Sequence, residues 1–135
     1  MSITQTIERT TLTHLIYNED YCRKVIPFIK PIYYADRQER VVFEEIEKFL
    51  DKYNTLPTKE TLTIGIDNRK DINDEDYKKV VDIISTLDKT EVDLQWLHDE
   101  TEKFCKDKAI YNAVLDGISI IDGKDKNRTP EAIPS

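Results

Sequence analysis

A chain of 135 residues has the length of one domain and is long enough for an ordinary core, since a domain near this size removes roughly two thirds of its unfolded surface from water. Its net charge of -7, from 27 acidic and 20 basic residues spread along the chain, argues against phosphate-backbone binding as a main activity and favours a protein partner. Cys22 and Cys105 lack the spacing of a zinc site or redox pair, MSITQTIERT lacks a targeting signal, and no run approaches the roughly 20 apolar residues of a membrane span. The expectation is a cytoplasmic protein with free buried thiols, no metal and no membrane association.

Ile7, Leu12, Leu15 and Ile16 give the first predicted helix its apolar face, and Asn18 caps a short second helix carrying Tyr21, Val25 and Ile26. Pro27 and Pro31 limit that helix, so Phe28, Ile29, Ile32, Tyr33 and Tyr34 are expected to form an apolar connector. A third helix follows, with Val42, Ile46, Phe49, Leu50 and Tyr53 recurring at three- and four-residue steps between charged positions. Asn54 suits a left-handed end, Leu56-Pro57 blocks continuation, and Thr58 caps a fourth helix through Leu62, Ile64 and Ile66. After the polar loop IDNRKDINDED, Asn73 or Asp74 starts a fifth helix with Tyr77, Val80, Val81, Ile84 and Leu87 on its apolar side.

A long helix is predicted from about Val92 to Ile121. Leu94, Leu97, Thr101, Phe104, Lys108, Tyr111, Leu115 and Ile118 alternate steps of three and four, the spacing of a helix seam, which Thr101 and Lys108 weaken. Its second half, AIYNAVLDGISII, is apolar on more than one face and calls for a second neighbour, either a helix of the same chain or another subunit. GKDKNR then makes a polar turn, and Thr129, Pro130 and Glu131 form a helix start with no helix behind it. The chain is therefore expected to be cut before or within the returning arm of a helical hairpin.

Catalytic and ligand motifs are weak by comparison. GISIIDGKD has five residues between its glycines and Asp125 where a phosphate-binding loop needs a hydroxyl, so it reads as a helix end and turn. Asp67, Asp71, Asn73, Glu75, Asp76 and Asp82 lack the glycine of a calcium loop and read as a solvated loop and helix start. His98 and Cys105 are two helical turns apart, about 10 Å, too far to share a metal, and Asp99, Glu100 and Glu102 read as a wet helix face. Arg37 and Arg40 beside Tyr33 and Tyr34 are the nearest thing to a nucleic-acid patch, but surrounding acids favour intrachain pairing, for instance Arg40 with Glu44.

The segment ERTTLTHLIYNEDYCRKVIPFIKPIYYADRQERVVFEEIEKFLDKYNTLPTKETL resembles the N-terminal domain of DnaB-type hexameric replicative helicases, especially those of T-even-like phages. The matching features are Glu8 with Leu12, Leu15 and Ile16, Tyr33-Tyr34 before Arg40, Val42-Phe43 with Ile46, and Leu56-Pro57-Thr58 before Leu62. DLQWLHDETEKF leading to KAIYNA is similar to the lead-in to that family's helical hairpin, whereas Glu39-Arg40 stands where many bacterial members carry His-Arg.

The resemblance implies an all-α fold, a compact bundle of about five helices over 1–90, followed over 91–135 by a long helix forming the first arm of a truncated hairpin. It further implies a collar that supports hexamer assembly and docks primase or a loader during DNA replication, in the host cytoplasm if the protein is phage-encoded. ATP and magnesium would belong to a RecA-like motor domain beyond this sequence, and neither direct DNA binding nor a catalytic, cofactor or metal site is expected here. Candidate subunit-interface residues are Phe104, Tyr111, Leu115, Ile118 and Ile121, with ordinary intrachain core as the competing role. The alternative function is an autonomous small acidic helical adaptor or inhibitor of another protein.

Overall fold

The computed structural model describes residues 6–121, with side chains through residue 118. Thr6 opens helix α1 (Ile7–Tyr17) by accepting a hydrogen bond from the Arg9 amide at 3.2 Å. Asn18 ends α1 and, through its side chain, caps α2 (Glu19–Val25), where Glu19 and Asp20 meet the positive end of the helix dipole. A 3-10 turn (Pro31–Tyr33) carries the chain to Asp36, whose carboxylate caps α3 (Arg37–Tyr53). Asn54 terminates α3 at φ 55, the one non-glycine residue with positive φ among those described.

Thr58 and Thr61 exchange side-chain and backbone hydrogen bonds to open α4 (Lys59–Asp67), and Asn73 caps α5 (Asp74–Ser85). The long helix α6 (Leu94–Ile121) starts behind Asp93, which accepts from the Trp96 amide at 2.9 Å. The fold is all-helical, with no strand among the described residues, and none of these helices is long and apolar enough to cross a membrane.

Helix α3 sits centrally, against α1, the 3-10 turn, α4 and α5, while α6 packs on α1, α2 and the 3-10 turn. Its Val42, Phe43 and Ile46 join Leu12 and Leu15 of α1, Leu62 and Ile66 of α4, Val80 and Ile84 of α5, and Leu97 of α6 in one buried core. The apolar stripe of α3 does not stay buried to its end: Phe49 and Leu50 are partly covered, and Tyr53 is exposed. Ile29 and Tyr34 fill the expected role of an apolar connector, with the Tyr34 hydroxyl 2.7 Å from Thr11 Oγ1.

The first turns of α6 belong to this core. Leu97, Thr101, Phe104 and Cys105 are buried. Thr101, which weakens the seam on sequence grounds, is instead a satisfied buried link, 2.6 Å from the Tyr21 hydroxyl and donating to the Leu97 carbonyl at 2.7 Å.

Arg69, just after α4, holds α3 and the loop before α5 together. It donates to Glu45 and Glu44 at 3.2 Å each and to both oxygens of Asp71 at 2.9 and 2.8 Å. The paired guanidinium lowers the exposed Asp71 carboxyl to about 2. Glu45 is buried, and a methyl group built at Gly65 of α4 would sit 2.5 Å from its Oε1. Gly65 thus admits a carboxylate that Arg69 holds in place.

Gly65→Ala gains about 1 kcal/mol in helix propensity but pushes the Glu45 carboxylate from its place against Arg69, and losing that charged hydrogen bond costs about 1.5–3 kcal/mol. The expected result in urea denaturation is a net loss of about 0.5–2 kcal/mol. In a Glu45→Ala background the obstacle is gone, and Gly65→Ala should then stabilise by about 1 kcal/mol. Equal effects in the two backgrounds would show that Glu45 is not what demands a glycine.

Candidate functional site

The described surface carries its largest apolar feature on the second half of α6. Ile110, Tyr111, Val114, Leu115 and Ile118 are 46–62% exposed. At 3.6 residues per turn these five positions fall within an arc of about 140°, so they form one stripe on one side of the helix. The stripe begins where the head of the molecule ends: the Asn112 amide reaches the Ile32 carbonyl at 3.5 Å. At about 1.5 Å per residue, the helix then continues some 13 Å to Ile121.

The interface residues expected from sequence divide along this line. Tyr111, Leu115 and Ile118 lie on the exposed stripe. Phe104 does not: it is buried in the chain's own core, edge-on to Tyr34 with ring centroids 5.7 Å apart and to Tyr33 at 6.5 Å. The three-four spacing continues through both halves, but the connector covers only the first. The backbone of Ile121 is helical, and its side chain lies outside the described residues, as do the GKDKNR turn and the helix-start signal at Thr129. Ile110 and Val114 are the members that the seam register passes over, although their four-residue spacing within AIYNAV was visible.

Other candidates are absorbed by local structure. The Arg40 guanidinium donates to the Tyr34 carbonyl at 3.1 and 3.3 Å, and Glu44 takes Arg69, so the expected Arg40–Glu44 pair does not form. Arg37 lies 3.6 Å from Asp76 of α5. Burial pushes the Cys22 thiol up to about 11 and the Cys105 thiol up to about 12, which keeps both protonated and poorly nucleophilic at neutral pH. His98, Asp99 and Glu102 bring ligating atoms within 4.8 Å of one another on α6. All three come from one helix, and His98 also packs edge-on to Phe28.

Two depressions flank the C-terminal half of α3. One, about 660 Å³, lies towards α2 and is lined by Glu44, Glu47 and Asp51 with Arg23 and Lys48. Partial burial, then the neighbouring Glu44 and Asp51, push the Glu47 carboxyl above its ordinary range. The other, about 330 Å³, lies towards α4 between Phe49, Tyr53 and Ile64. Neither gathers an acid, a base and a nucleophile into one site.

No family model matches the chain. Over 109 residues it is 29% identical to the DnaB-like replicative helicase of Enterobacteria phage T4. The chain is similar to a replicative helicase. The match covers 81% of this chain but 23% of the helicase, so the chain spans about a quarter of its relative's length, consistent with a single N-terminal domain. The resemblance drawn from ERTTLTHLIYNEDY through LPTKETL is thereby borne out.

Proposed function

We propose that the chain is the N-terminal collar domain of a DnaB-type replicative helicase, and that the projecting half of α6 is its self-association surface. The observation that carries this reading is the stripe of Ile110, Tyr111, Val114, Leu115 and Ile118, exposed on a helix whose preceding turns are firmly packed. A contiguous apolar stripe costs free energy in water, and a second copy of the same helix provides a matching cover. Such pairing would give a full-length parent the contacts of a hexameric ring, and the acidic globular part would dock primase or a loader. ATP and magnesium chemistry would reside in a motor domain outside this sequence.

The test is sedimentation velocity of the 135-residue chain across a wide concentration range. Reversible dimers or larger assemblies are expected. A monomer at every concentration, with Tyr111 and Leu115 remaining solvent-accessible in hydrogen-exchange and side-chain NMR measurements, would overturn the assignment.

A further inference from the structure

The depression between α3 and α4 differs in kind from the stripe on α6. Phe49 and Tyr53 pack with tilted rings, centroids 4.8 Å apart, along one wall, and Ile64, 59% exposed, stands on the other. Gly65 lies between, and its missing side chain lets the buried Glu45 carboxylate lie against α4 at the floor. Three charged groups line this groove: Glu45, Lys48 and Lys52. Glu45 is buried and bound to Arg69 at 3.2 Å, so its charge is already matched. Lys48 makes only a loose contact with Glu45 at 3.9 Å and is largely exposed, while Lys52 rests over the Tyr53 ring at 5.3 Å.

This chain of net charge -7 therefore presents a groove with an aromatic and aliphatic lining and two accessible ammonium groups. Of the other acids of α3, Glu44 is bound to Arg69, and Glu47 and Asp51 line the depression towards α2, which Lys48 also borders. Helix α4 packs on α3 and α5, whereas α6 packs on α1, α2 and the 3-10 turn, so the groove and the α6 stripe are built from different elements.

We infer that the α3–α4 groove is a docking site for an acidic, apolar-anchored segment of a partner protein. An aliphatic or aromatic side chain of the partner enters between Phe49, Tyr53 and Ile64, and its carboxylates reach Lys48 and Lys52. The apolar contact supplies most of the affinity, and the lysines select sign of charge. The inference rests on reading the chain as a protein-docking module, and it is independent of self-association through α6.

The probe is a short fluorescein-labelled amphipathic peptide with leucine at i, i+3, i+4 and i+7 and Asp or Glu at the intervening positions, compared with a Lys/Arg version of the same pattern. Fluorescence anisotropy with the full chain should show saturable binding of the acidic peptide, about tenfold tighter than the basic one and weakened by salt. The double variant Lys48→Glu/Lys52→Glu should lose about tenfold, and Ile64→Asp at least as much, with helicity unchanged because all three side chains are exposed. NMR shift changes on titration should centre on Phe49, Tyr53, Ile64 and Gly65.

Equal binding of the two peptides, no binding of the acidic one, or shift changes centred on α6 would overturn the inference. So would groove resonances that change with protein concentration alone, which would make a second copy the occupant. An acidic peptide that binds a strictly monomeric chain supports the groove while the self-association reading fails, so the two failures are distinguishable.

Discussion

Phe104→Ala is expected to lower the unfolding free energy of the isolated chain by about 3–5 kcal/mol, the range for deleting a buried aromatic side chain. The loss combines the transfer of the ring out of water with the cavity left beside Tyr34, which is itself fully buried and tied to Thr11. Tyr33 and Tyr34 belong to the connector between α2 and α3, and a hydrogen-bonded Tyr34 leaves the ring little room to collapse into the void. Urea denaturation at low protein concentration measures the effect. A subunit-interface Phe104 would give a different signature: stability independent of the substitution in dilute solution and a loss of association only at high concentration. The buried position of the ring predicts the first outcome.

The distinction between Phe104 and Tyr111 also marks where sequence reasoning stops. Both fall on the same three-four register, seven residues apart, with only Lys108 weakening the apolar pattern between them. What separates them is the path of a distant connector, whose Ile32 carbonyl meets α6 at Asn112, 80 positions later. Helix ends were legible because caps are local: Asn18, Asn54, Thr58 and Asn73 act within a few residues of themselves, and each occupies the position that its chemistry suits.

Polar pairing was legible only where no distant competitor existed. Arg40 and Glu44 have the spacing for a helical pair, yet Arg40 finds the Tyr34 carbonyl and Glu44 is drawn to Arg69, a residue twenty-five positions later. The α3–α4 groove was hidden for the same reason. It depends on Gly65 facing Glu45, and neither the glycine nor the carboxylate signals that contact in the linear chain. The family resemblance fared better than either, because it draws on the order of many residues together and does not require knowing which of them touch.

Leu115→Asp tests the proposed association surface with the largest expected effect on assembly. Leu115 is 46% exposed, beyond the Asn112–Ile32 hydrogen bond and outside the buried core, so the substitution removes no core packing. If the stripe pairs with its own copy, each protomer contributes one Leu115 to a self-complementary interface, and one substitution acts twice. Losing a buried leucine costs about 1.5–3 kcal/mol, and a carboxylate placed in an apolar contact adds a desolvation penalty. Taken over two copies, the association constant should fall by about 100-fold or more. Thermal unfolding of the head, followed at concentrations where both proteins are monomeric, should be unchanged. Asp116→Asn lies at the same level of the arm but outside the stripe, so it should leave association intact; equal weakening by both variants would mean that this apolar stripe does not govern assembly.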